Sequence, residues 1–346
     1  MTYSPLHNVL SVTIKQFFSI FPLYLLFSNI MVTMRRELGA AIVLLIVFYY
    51  LFFITVKKMD SFKVNNINHN GEDFPAFVLY NRVPKCGSST LKSIVNQLRF
   101  RNGFVSIDSL EKDPYFGKML MHQNVGQVAE TKKLIQRLEN KTVFTEHSHF
   151  VNLDTPAVAY INLIRDPIAR VNSAYCYARD LTKEFGKHQT INNRSQSLGQ
   201  CIQNSSIRHC VNNYNMYITI KYFCGKNDKC RHNPNTDYAM NLAITNIDKF
   251  YLVVGVIEQF KKTLKVLEYL LPEYFAGAVH VYEEQEKEGK NVHEKCQAGL
   301  EPLQDKEDPV YQQLKGYLYR EYKVYNHVFT RLEEQYSNIE SLATFN

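Results

Sequence analysis

Apolar and polar positions divide the chain into distinct stretches. From Leu38 to Val56 the sequence is apolar and uncharged, with Arg35 and Arg36 before it and Lys57 and Lys58 after it. A helix of roughly 20 apolar residues spans the hydrocarbon of a bilayer, so the run predicts a transmembrane helix over 35–58. It is long for a signal peptide and no small-residue cleavage pattern follows, so an uncleaved signal anchor is expected. Upstream, 17–34 is also apolar but carries Pro22 and Asn29; it reads as a second span, an interfacial helix, or sequence ahead of a true start at Met34. That leaves 1–34 as a tail. Residues 59–75 are polar and rich in Asn, without periodicity, and read as a stem. One folded domain is expected over 76–346.

Within that domain short apolar runs predict strands at Ala76–Tyr80, Phe104–Ile107, Thr142–Ser148, Ala157–Ile164 and Tyr251–Val256. Helical spacing lies between them: Leu91, Ile94, Val95 and Leu98, then 127–138, 167–180 and 258–271. Strands alternating with helices predict an α/β fold, a mostly parallel sheet with helices on both faces. Ligands of such sheets bind beyond the carboxyl ends of the strands. Towards the end, Tyr311, Leu314, Leu318, Tyr322, Tyr325, Phe329, Leu332 and Tyr336 recur at steps of three and four, the stripe of one long amphipathic helix.

Charge and cysteines change the picture in one respect. The formal charge of +7 over 346 residues suits an acidic partner, and behind a membrane anchor nucleic acid is not the expected one. Basic residues flank the anchor equally and do not orient it. Asn140, Asn193 and Asn204 each open an N-glycosylation sequon, which matters only in the secretory lumen. Cys201 with Cys210 and Cys224 with Cys230 form close pairs in polar sequence without zinc-site spacing, so two disulfides are expected.

The loop after the first strand, Asn81-Arg82-Val83-Pro84-Lys85-Cys86-Gly87-Ser88-Ser89-Thr90, collects a lysine, a glycine and three hydroxyls at the start of a helix. Such a loop holds anions through backbone amides and the positive helix end; the competing reading is a serine that only caps the helix. Lys85 precedes Gly87 rather than following it, unlike the nucleoside-triphosphate loop. Lys92 stands where a Cys86 phosphatase would need arginine, and Gly87 alone does not make a dinucleotide fingerprint. A second anion site is read at Arg165-Asp166-Pro167: Asp166 suits an N-cap, Pro167 the first helical position, and Arg165 can grip a phosphate with two hydrogen bonds. Ser173 reaches the same group if that helix runs beside it. His147 and His149, at a strand end, are expected on one face with Glu146 on the other. A lone histidine is more often structural, and a His-x-His pair also suits a metal, although no third ligand is evident nearby.

In combination, the loop Arg82 to Thr90, the stretch Ile161 to Arg170 (INLIRDPIAR), and Tyr222-Phe223-Cys224-Gly225 with Cys230 resemble the uronosyl 2-O-sulfotransferases, over about residue 76 to the end. The resemblance implies a P-loop-like sulfotransferase fold and transfer of sulfate from 3′-phosphoadenosine 5′-phosphosulfate to a uronic acid 2-hydroxyl in heparan or dermatan/chondroitin sulfate, without a metal. It implies that Lys85, Gly87, Ser88, Ser89 and Thr90, with Arg82, hold the 5′-phosphosulfate, that Arg165 and Ser173 hold the 3′-phosphate, and that His147 is the base. It also implies the same two disulfides, a homotrimer, and a type II layout in the Golgi membrane. Cations for the anionic acceptor are Arg82, Arg179, Lys183, Lys187 and Arg194, with Lys290 and Lys295 in a charged loop. Cys86-Gly87 follows the dermatan branch and Pro84 the heparan branch, while Ala174 and Cys176 stand where aromatic residues are expected, which leaves the acceptor open. The rival functions are another carbohydrate or tyrosine sulfotransferase, and a non-catalytic, membrane-tethered glycosaminoglycan-binding protein.

Overall fold

The computed structural model describes Tyr49 and residues 75–108, 132–133, 135–137, 140–184, 196–211, 216–289 and 302–344, the side chains of 179–184 and 343–344 excepted. The expected anchor, apart from Tyr49, the stem and most of the helix read at 127–138 lie outside the described residues. Among the described residues no helix is long and apolar enough to cross a membrane.

Strands β1 (Phe77–Asn81), β2 (Val105–Asp108), β3 (Thr142–Glu146), β4 (Val158–Ile164) and β5 (Tyr251–Val256) form one sheet in the order β2-β3-β1-β4-β5. Every pairing is parallel. Each position of β1, β3, β4 and β5 is buried. Successive side chains of a strand point to opposite faces, so both faces of the sheet are covered. This explains why the strands read as continuous apolar runs rather than as alternating ones.

The path of the chain puts β1 in the middle, with β3 on one side and β4 on the other. The carboxyl ends of these three strands therefore open beside one another, where a parallel sheet binds its ligands. Helix α1 (Ser88–Asn102) follows β1 and buries Leu91, Ile94, Val95 and Leu98, the spacing read from sequence. Helix α2 (Pro167–Glu184) follows β4.

Two expectations are corrected. The strand read to Ser148 stops at Glu146, and the single C-terminal helix is two, α3 (Pro309–Tyr317) and α4 (Tyr319–Thr344), broken at Leu318. The stripe serves two cores. Tyr311, Leu314 and Leu318 pack with Ile168, Val171, Leu198 and Ile202, whereas Tyr325, Phe329, Leu332 and Tyr336 pack with the core around the sheet. At the break Leu318 has φ −89° and ψ 14°, and Gly316 just before it lowers the cost of leaving the helix.

Both expected disulfides are present, Cys201–Cys210 and Cys224–Cys230, with Cα separations of 6.0 and 5.8 Å. Cys176 is disulfide-bonded as well, which the close-pair reading did not anticipate.

Candidate active site

The site is built on three strand tips. The loop that leaves β1 turns sharply: Lys85 has φ 64° and Gly87 has φ 73°. Gly87 is the N-cap of α1, which has no side-chain cap and no acid in its first turn. Neither a side-chain cap nor an acid of its own first turn offsets the partial positive charge at the helix start, a condition that favours an anion there. Around it Ser88 is buried, Thr90 half-buried and Ser89 exposed. A Cβ on Gly87 would lie 2.3 Å from Ile257 Cδ1, so glycine is required by close packing as well as by its backbone angle.

A buried polar network fixes where this loop begins. Asn162 of β4 donates from Nδ2 to the carbonyl of Asn81 at 2.7 Å and accepts from the amide of Val83 at 3.3 Å. Tyr251 of β5 donates to Asn81 Oδ1 at 2.9 Å, and Asn81 Nδ2 donates to the carbonyl of Ser148 at 3.3 Å. Sequence reasoning passed over these residues. The signal was available: two asparagines inside strongly apolar strands must find partners or cost about 1–3 kcal/mol each.

Lys85 reaches across to α2. Its Nζ lies 4.1 Å from the centroid of the Tyr177 ring. Ser173 precedes Tyr177 by four residues and so shares that face of the helix. The β4 tip follows, with Arg165 half-buried beyond Ile164. Asp166 caps α2 as expected, accepting from the amide of Ala169 at 2.9 Å. The two cationic turns thus stand at adjacent strand ends.

On the other side of β1 is the tip of β3. His147 is exposed and Glu146 is buried, as alternation requires. His147 Nδ1 lies 3.0 Å from the carbonyl oxygen of Arg82. A carbonyl only accepts, so Nδ1 carries the hydrogen, and in the neutral ring Nε2 carries the lone pair. His149 does not join it, because the strand has ended and alternation no longer applies. It is half-buried, edge-on to Tyr222 at 5.1 Å. Burial, and then the charges of Lys226, Lys221 and Arg231, push its pKa down to about 4. The sign of the linkage is clear. Between the ordinary value of 6.5 and about 4 the unfolded chain binds a proton that the folded chain refuses, so stability falls as pH falls through that window. Replacing His149 with Phe is expected to flatten this acid-side decline, measured as melting temperature against pH from about 7 to about 4.

Cys86, inside the loop, is fully buried and its pKa is pushed up to about 12 by burial. A thiol so placed is inert, which agrees with excluding it as a nucleophile. Beside the loop, a groove of about 600 Å³ runs along α1, lined by Arg82, Ser89, Lys92, Asn96, Arg99 and Phe100. Of the other acceptor cations expected, Arg179 and Lys183 lie on α2 with side chains outside the described residues, and Lys187, Arg194, Lys290 and Lys295 lie outside them altogether. Asn140 and Asn204 are exposed; Asn193 is outside the described residues. Among the described residues no cluster of His, Cys, Asp or Glu could hold a metal ion.

The arrangement fits an anion with negative charge at two places, one over the start of α1 and one at Arg165, with an imidazole nitrogen nearby able to take a proton. Comparison with known proteins agrees. A model of the sulfotransferase family matches residues 75–329. The uronyl 2-sulfotransferases of Mus musculus and Homo sapiens are each 33% identical over 228 residues, covering 62% of this chain and 52% of theirs. Heparan sulfate 2-O-sulfotransferase 1 of Mus musculus is 28% identical over 236 residues, covering 64% of this chain and 61% of its own. The match thus spans about half the length of the uronyl relatives.

Proposed function

The chain belongs to the sulfotransferase family, and on that premise we propose that it transfers sulfate from 3′-phosphoadenosine 5′-phosphosulfate to the 2-hydroxyl of a uronic acid in a glycosaminoglycan. The observation that carries the reading is the placement of Lys85, Arg165 and His147 at the tips of β1, β4 and β3, three neighbouring strands. The relatives' names supply the acceptor class.

When bound, the donor supplies an activated sulfuryl group whose sulfur–oxygen bond to phosphate breaks as the acceptor oxygen attacks sulfur. The protein's part is electrostatic and protonic. The amides at the start of α1, with Ser88, Ser89 and Thr90, hold the 5′ end, and Lys85 neutralises the charge left on the phosphate oxygen. Arg165 and Ser173 hold the 3′-phosphate. His147 Nε2 takes the acceptor's hydroxyl proton, with the ring oriented through Nδ1 on the Arg82 carbonyl. Arg82, Lys92 and Arg99 along the α1 groove offer positive charge to acceptor carboxylates and sulfates. We extend the proposal to a type II anchor over 35–58, a luminal domain in the Golgi and a homotrimer. The apolar run, the sequons and the disulfides support the first two; the trimer rests on family resemblance alone.

The test offers labelled donor with desulfated heparin, dermatan and chondroitin side by side, followed by disaccharide analysis. Label is expected on uronate O-2 of at least one of them. Label on galactose, on another ring position or on tyrosine would replace the reading with another sulfotransferase. Salt-dependent heparin binding without transfer would replace it with a binding protein.

A further inference from the structure

The short turn after β5, Ile257–Gln259, lies beside the β4 tip, because Ile164 and Val256 are partners across the sheet. Glu258 of this turn accepts from the backbone amide of Asp166 at 2.9 Å. The other oxygen of Glu258 accepts from the hydroxyl of Tyr325 at 3.2 Å. The carboxylate of Asp166 is held in the same way: Oδ1 caps α2, and Oδ2 accepts from the hydroxyl of Tyr322 at 3.0 Å. Tyr322 and Tyr325 are three residues apart on α4, hence on one face of it. Their rings meet edge to face at 6.3 Å. Ile257, next in the turn, is the side chain that fills the space over Gly87.

We infer that Glu258 and Tyr322 are positioning residues that lock the Arg165-Asp166 turn in the orientation needed for a 3′-phosphate, and that the Ile257-Glu258 turn sets its spacing from the Lys85 loop. The inference rests on the donor proposed above. Arg165 can present two parallel hydrogen bonds only if its backbone is fixed, and Asp166, its neighbour, is fixed at the amide by Glu258 and at the carboxylate by Tyr322. The oxygens of both acids are engaged by an amide and by hydroxyls, which holds them facing the turn and α4. Burial raises the pKa values of both tyrosines, with Asp166 adding to Tyr322 and Glu258 to Tyr325, so the hydroxyls stay protonated and donate. Arg170, one turn further along α2, is fully buried. Its guanidinium donates to the carbonyl of Met216 at 3.4 Å, a hold on the helix behind the turn that does not involve the brace.

The experiment measures binding of adenosine 3′,5′-bisphosphate and of adenosine 5′-monophosphate to the full chain in detergent, by calorimetry. For the unaltered protein the ratio of the two affinities reports what the 3′-phosphate contributes; a ratio near one overturns the donor reading and this inference with it. With a clear preference in hand, Glu258→Ala is expected to weaken the bisphosphate about tenfold or more, the effect of losing a hydrogen bond to a charged group, and the monophosphate less than about twofold. Tyr322→Phe is expected to act in the same selective way and more weakly. Glu258→Gln, which keeps an oxygen for the Asp166 amide, should restore most of the preference. Equal weakening of both nucleotides would mean a general structural role, and unchanged binding of both would mean none; either result overturns the inference while leaving the donor reading intact.

Discussion

Lys85→Ala is expected to lower kcat about 10²- to 10³-fold, the loss seen when one preorganised donor to a developing negative charge is removed, with only a small fall in melting temperature. Lys85 sits in the left-handed region, φ 64°, which costs a residue with a Cβ roughly 1–2 kcal/mol. Its ammonium rests over the exposed ring of Tyr177, a contact worth about 0.5–1 kcal/mol at a surface. That is small beside the roughly 2.7–4 kcal/mol ascribed to a transition-state donor, so an arriving anion can draw the ammonium from the ring. Glycine at 85 is the sharper comparison. Lys85→Gly relieves the backbone strain and is expected to melt higher than Lys85→Ala while being equally inactive. Turnover of labelled donor at saturating acceptor and a calorimetric melt on each variant decide the matter. Near-normal kcat in the alanine variant, or a loss of kcat that merely follows a loss of stability, would remove Lys85 from the chemistry.

Much of this site was legible because its parts are tied to strand ends. An apolar run that stops at a lysine, a glycine and hydroxyls can be placed without knowing the fold, and so can one that stops at Arg165-Asp166-Pro167. Adjacency of the two turns was not legible. It follows from β4 pairing with β1, a long-range choice that no local pattern records. The shared face expected of His147 and His149 rested on alternation carried past the end of a strand. Alternation holds only while a strand lasts, and β3 ends at Glu146; beyond it the Ser148 carbonyl accepts from Asn81 Nδ2.

The C-terminal stripe shows the opposite failure. Its periodicity was real, yet periodicity reports which side of a segment is apolar and not whether one core or two will receive it. The tyrosines in the stripe carried a second message. Tyr322 and Tyr325 are apolar enough to read as core positions, and their hydroxyls hold Asp166 and Glu258. A tyrosine in an amphipathic stripe brings a polar tip that must find a partner when buried; here the partners are the acids behind the anion site.

His147→Ala is expected to cost about 10²- to 10⁴-fold in kcat, the usual worth of a positioned general base, and His149→Ala far less. The two histidines are two residues apart, and what separates them is environment. His147 is exposed, with Nδ1 engaged by the Arg82 carbonyl at the root of the Lys85 loop, so its tautomer and its distance from the loop are set by the same atom. His149 is edge-on to Tyr222, and burial with nearby positive charge takes its pKa to about 4. A base that weak has little driving force to draw a proton from a sugar hydroxyl near neutral pH. Its loss should appear mainly as altered stability, because the space beside Tyr222 is left unfilled. Single-turnover rates and melting temperatures of both variants separate the cases. Should His149→Ala lose turnover with its melting temperature intact while His147→Ala keeps turnover, the base is His149, and the hydrogen bond to Arg82 serves the loop rather than the reaction.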